Sequence, residues 1–132
     1  MAETLNAHQL IRLAQCLTSM QASLTDYELR HYADLTIAQK SRLEETLTGL
    51  ARTAGHLYAY SVQLVFEDTE TQLKQLKQAA GDLKKILKTA GKIQQVMDIV
   101  SSVAALADAI ISQDVEGIAF GIDQIIQMMA NT

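Results

Sequence analysis

The chain has 132 residues, enough for one domain that buries roughly two-thirds of the surface its unfolded form exposes. With no Pro, no Trp, two Phe and a net charge of −4, it lacks the punctuation of a strand-and-turn protein and the dominant basic surface of a generic nucleic-acid binder. The single Cys16 excludes an internal disulfide framework and reads as a half-buried packing residue in a reducing compartment.

The economical reading is an all-α helical bundle, a single helical domain over residues 1–132 with a long central helix and a C-terminal apolar helical hairpin. Its parts are short helices over 6–35, a long helix over 36–91, either continuous with a bend or split in two, and the hairpin over 92–130. Asn6 with Gln9 three residues later makes a capping box, and Leu10, Leu13, Leu17 and Met20 then share a face, so a first helix starts at Asn6 and ends near Ser23. Thr25 with Glu28 repeats the box and predicts a separate short helix to about Ala33 containing Tyr27 and Tyr32. Thr36 with Gln39 gives a third.

From Ile37 onward no stop signal interrupts about fifty residues. Leu43, Leu47, Leu50, Ala54, Leu57, Val62, Val65 and Phe66 keep helical period, and Leu73, Leu76, Ala80, Leu83, Leu87 and Ala90 form a heptad series of coiled-coil type. The polar run Glu67 to Glu70 is the main break within it, Gly49 and Gly55 are points where a bend is cheap, and Gly91 reads as the C-cap. Projected on a wheel, Lys74, Lys77, Lys84, Lys85, Lys88 and Lys92 fall in one sector beside the apolar face, with Gly81 among them on the solvent side. Such a stripe is ordinarily a solvated flank near a helix C-terminus. Its sharper reading is a docking contact for anionic lipid head groups or an acidic partner helix.

The stretch 92–130 is the most apolar of the chain. Ile93, Val96, Val100, Val103, Ala107 and Ile110 form one stripe, with Asp98, Ser101, Ser102, Asp108 and Ser112 on the opposite side. After Ser112, Gln113 and Asp114, a second stripe runs through Val115, Ile118, Ala119, Ile122, Ile125, Ile126 and Met129. Opposite it lie Gly117, Phe120, Gly121 and Met128, a second apolar surface whose glycine spacing lets another backbone come close. A helix apolar on two sides is sandwiched in a bundle or forms an interface, and few helices are on hand to cover both sides here. These four residues are the candidate interface.

Catalysis finds little support. Glu28 and His31 have the Glu-x-x-His spacing of di-iron bundles, but no second copy follows, and no phosphate loop, nucleophile elbow or Cys-x-x-Cys occurs. His8 and His56 project onto polar faces, and the four tyrosines fit half-buried packing positions. No enzyme activity, metal or cofactor is expected.

The function read from the residues is therefore a non-enzymatic protein–protein interaction or oligomerisation module. It would associate with itself or with a protein partner, and with no nucleic acid. The alternative is a membrane-active protein that docks on an anionic membrane through the lysine stripe and releases the hairpin. In layout alone, residues 92–130 resemble the hydrophobic hairpin that helical pore-forming proteins hide against a long bundle. The least polar run, from Ile99 to Ile111, spans only about 20 Å against a bilayer core of roughly 30 Å, and contains Asp108. Met1 to Asn6 lack the basic-then-apolar layout of a signal peptide, which predicts a cytoplasmic location; signal-independent secretion leaves no such mark.

Overall fold

A computed structural model describes residues 3–60, 63–89 and 92–131. In chain order these form β1 (Glu3–Thr4), α1 (Ala7–Arg30), a 3-10 turn (Tyr32–Asp34), α2 (Ile37–Tyr58), β2 (Val65–Phe66), α3 (Thr69–Thr89), α4 (Ile93–Ile111) and α5 (Val115–Ala130). The protein is an all-α helical bundle. Its five helices close a ring: α1 packs on α2 and α3, α4 packs on α2 and α5, and α3 packs on α5. Each helix thus has two principal neighbours, turns one face to a shared interior and leaves one face outside.

The interior is filled by the stripes that the spacing predicts. Leu13, Leu17, Leu43, Leu50, Leu76, Leu83, Val100, Val103, Ile122 and Ile125 are among its buried residues, and Tyr27 and Phe66 are the largest side chains fully enclosed. The helix starts follow the capping signals. Asn6 Oδ1 accepts from the Gln9 N–H and Gln9 Oε1 from the Asn6 N–H, both at 2.9 Å. Thr36 and Gln39 make the same reciprocal pair at the head of α2.

The structure overturns the second capping box. α1 continues unbroken to Arg30, because Thr25 Oγ–H donates back to the Gln21 carbonyl at 2.8 Å, which keeps the residue inside the helix. Leu24 and Tyr27 extend the buried stripe of Leu17 and Met20, and Arg30 closes the last turn by bridging Asp26 at 2.9 Å. Burial over two further turns outweighs a local cap. The separate helix expected to Ala33 shrinks to the 3-10 turn.

The long helix expected over 36–91 is two helices. α2 stops at Tyr58, and Tyr60 takes φ 54, the left-handed conformation that ends a helix and reverses the chain. Val65 and Phe66 then pair antiparallel with Thr4 and Glu3, and the Leu5 N–H donates to the Leu64 carbonyl at 2.8 Å. Leu64 and Phe66, two apart, both point into the core, which is a strand period and not a helical one. Asp68 restarts the helix: its Oδ1 accepts from the Thr71 N–H, and Gln72 Oε1 accepts from the Asp68 N–H. Val62 from the apolar series, Ala90 from the heptad series and the expected Gly91 cap lie outside the described residues.

The hairpin stands where the sequence places it. Ser112 ends α4, Gln113 turns the chain with φ 56, and Asp114 opens α5 by accepting from the Gly117 N–H at 3.1 Å.

Candidate interaction surfaces

The predicted interface is divided by the ring. Gly117 and Gly121 face α4: a Cβ on Gly121 would stand 3.3–3.4 Å from Leu106, and one on Gly117 would press on the Asp114 carboxylate and meet Ala109 at 3.4 Å. Met128 leans the same way, its Sδ accepting from Ser102 Oγ–H at 2.9 Å. The backbone that Gly121 admits is therefore that of α4 in the same chain. Phe120 alone of the four points outward and is 65% exposed. Glu116 and Asp123, one turn to either side, are exposed with it.

Beside this face, α3 and α5 leave a groove of ≈ 420 Å³. Ala79, Ile126 and Met129 make its apolar part, and Lys74, Gln75 and Gln78 its polar edge. An adjoining recess shares Lys74 and Gln78 and adds Lys85. Sequence reasoning assigned Ile126 and Met129 to a buried stripe and missed the groove, because a groove needs the neighbouring helix to exist.

The lysines of α3, Lys74, Lys77, Lys84, Lys85 and Lys88, are exposed and enter no ion pair among the described residues. They do not form one uniform stripe. Lys84 and Lys88 border a recess against α1 with Asp26 and Arg30, whereas Lys74 edges the groove against α5 and Lys85 a recess lined by α3 alone. Lys92 leaves the stripe altogether: it precedes α4 in extended backbone, φ −122. Residues 93–131 carry Asp98, Asp108, Asp114, Glu116 and Asp123 and no Lys, Arg or His, so a basic helix stands beside an acidic hairpin.

Other candidate groups are taken up locally. His31 stacks on Tyr27 with ring centroids 4.3 Å apart, and Lys40 Nζ sits 3.8 Å over the Tyr32 ring. Burial pushes the Glu28 carboxyl above the usual range, Glu44 pushes it further, and Lys40 opposes both. The Cys16 thiol is buried, and desolvation raises it against the weaker pull of Arg12 and Lys77. Arg12 itself is held by both carboxylate oxygens of Glu70, at 2.6 and 2.9 Å. Near the first turn between helices, Leu29 and Ile37 are 72% and 86% exposed.

No protein-family model, curated protein or solved structure matches this chain.

Proposed function

We propose that this protein is a non-enzymatic helical interaction module whose contact surface is the outer face of α5, centred on Phe120. The observation that carries the reading is the exposed Phe120 on a helix whose inner face already meets the core. Nothing in the fold requires an aromatic ring there, since Ile118, Ile122 and Ile125 supply the burial that holds α5. Large aromatics with low side-chain entropy are the residues that dominate binding energy in protein interfaces.

The test is a photo-reactive amino acid placed at position 120 and irradiated in cells that make the protein. A discrete higher-mass adduct supports the reading, and its absence counts against it. Phe120→Lys should remove the adduct-forming contact while leaving the far-UV spectrum and the unfolding midpoint close to the parent, because an exposed position contributes within about 0.5 kcal/mol.

A second reading draws on α4. Its 19 residues make the one described helix long and apolar enough to cross a membrane, about 28 Å at 1.5 Å per residue. In that reading the lysines of α3 dock on anionic lipid and the hairpin leaves the ring. Flotation with anionic liposomes that survives moderate salt would support it. Binding lost at moderate salt would mean surface adsorption only.

A further inference from the structure

We infer that one end of the bundle, where α1 stops and α2 starts, docks on an anionic lipid bilayer, with Leu29, Tyr32 and Ile37 as its apolar contacts. This surface is separate from Phe120, and docking leaves the ring closed.

Two helix ends and two helix starts come together there. α1 and α3 run side by side in the same direction: Arg12 pairs with Glu70 near their starts, while Asp26 and Arg30 share a recess with Lys84 and Lys88 near their ends. The 3-10 turn then leads to the head of α2, where Lys40 Nζ lies over the Tyr32 ring, and Lys92 leads from α3 into α4. Around α1, at about 100° per residue, Leu24 and Tyr27 point to the core, Asp26 and Arg30 to α3, and Glu28 toward Lys40 and Glu44 of α2. Leu29 takes the remaining, outward side.

Leu29 and Ile37 are the two most exposed large apolar side chains among the described residues, and Tyr32 is exposed with them. Neither aliphatic chain is needed to set the helix ends, since Arg30 closes α1 on Asp26 and the Thr36 and Gln39 box opens α2. Separate aliphatic side chains make a poor protein interface, which needs a close-packed core, but a bilayer receives them without a complementary shape. Tyrosine, with an apolar ring and a polar tip, suits the head-group level.

The charges are polarised in the same direction. Residues 25–42 and 84–98, the helix ends and links at this end, hold seven Lys and Arg against four acids, Asp26, Glu28, Asp34 and Asp98. Asp26 is already bridged by Arg30. The rest of the chain holds four Lys and Arg against eleven acids, so the end that exposes Leu29 and Ile37 is positive in a protein that is negative elsewhere. An anionic surface attracts this end and repels the remainder, which orients the molecule. Gly121, beside Phe120, packs on Leu106, about 20 Å along α4 from its start, so the Phe120 contact lies away from this end.

The chain has no Trp, so a single substitution to Trp reports on its own surroundings. Purified Ile37→Trp and Ile111→Trp proteins are titrated with vesicles of phosphatidylcholine, with and without phosphatidylserine. Ile111 closes α4 at the far end of that helix, and it enters lipid only if the hairpin leaves the ring. Emission from Ile37→Trp should shift to the blue on the phosphatidylserine vesicles alone, and emission from Ile111→Trp should stay as in buffer. In the Ile37→Trp background, Leu29→Glu, and separately Lys84→Glu with Lys88→Glu, should each weaken the partition by on the order of tenfold or more. These positions are exposed, and far-UV spectra verify that each variant is folded. No shift at position 37, an equal shift on neutral vesicles, or a partition indifferent to both variants overturns the proposal. A shift at position 111 also overturns it and favours release of the hairpin. A response to soluble polyglutamate with none to vesicles overturns it in favour of an acidic protein partner. The cross-linker at position 120 is read independently, so the Phe120 contact stands or falls on its own result.

Discussion

Gly121 and Gly81 look alike in the sequence and have opposite roles. Gly121 sits where α5 crosses the Leu106 backbone, so a side chain there must push the hairpin arms apart. Gly121→Leu should cost about 1–3 kcal/mol of unfolding free energy, read as a lower urea midpoint. Gly81 has nothing within 4 Å of its would-be Cβ and lies in the exposed middle of α3. Gly81→Ala should raise the midpoint by about 0.5–1 kcal/mol, because alanine restricts the unfolded chain and favours the helix. Equal effects of the two changes would contradict this packing. Glu28 carries a pH signature at the same scale. Its folded pKa is raised, so the native state holds the proton more tightly than the unfolded one. Stability then falls as pH climbs from the unfolded carboxylate pKa through the folded value, and the penalty persists above it. Glu28→Gln should be more stable than the parent at neutral pH, with the difference shrinking to nothing in acid. A difference that grows in acid would reverse the assignment.

The elements owe their ends to chemistry that works over three or four residues. Asn6, Thr36, Asp68 and Asp114 each accept a backbone N–H at a helix start. Thr25 has the same spacing to its glutamate and caps nothing, since the buried stripe runs past it. A cap gains about 1 kcal/mol, and the burial of Leu24 and Tyr27 exceeds that at roughly 1.5–3 kcal/mol for each large side chain. The turn of the hairpin depends on Gln113 at φ 56, a conformation that costs L-residues about 1–2 kcal/mol relative to the right-handed one. Gln113→Gly should therefore stabilise the protein by a few tenths to about 1 kcal/mol, as glycine removes the strain but adds unfolded-state freedom. A lower melting temperature for this variant would show that the Gln113 side chain contributes more than the turn costs.

At the scale of the molecule, the ring makes every helix dependent on two others, and the short strands join the N-terminus to the link between α2 and α3. Phe66 follows from that link into the core and is fully enclosed, although it was expected on a continuous helix. Phe66→Ala should cost about 3–5 kcal/mol, and its loss should lower far-UV and tyrosine transitions together, as expected of one cooperative core. Transitions that separate would mean that the hairpin and the first three helices unfold independently.

Most of the architecture was legible in the residues. The 3.6-residue period of Leu13, Leu17 and Met20, of Val96, Val100 and Val103, and of Ile118, Ile122 and Ile125 needs only the local chain to be read, and so do the caps and the Ser112 to Asp114 turn. The break between α2 and α3 was harder, because Leu57, Val62, Val65 and Phe66 also fit a helical count. The β-branched and aromatic residues around Leu64 were the signal available, yet only β1, brought from the far end of the chain, makes a strand there worthwhile. The candidate interface shows the same limit. Spacing put Gly117, Phe120, Gly121 and Met128 on one side of α5, but which of them meets another helix depends on which helix the ring sets beside it. By itself the sequence determined the apolar stripes, the capping boxes at Asn6 and Thr36, the hairpin turn and the separation of a basic α3 from an acidic hairpin, since these follow from near neighbours and composition. Only the tertiary structure decided that Gly121 serves α4, that Phe120 is left outside and that a groove opens between α3 and α5, because those are contacts between residues far apart in the chain.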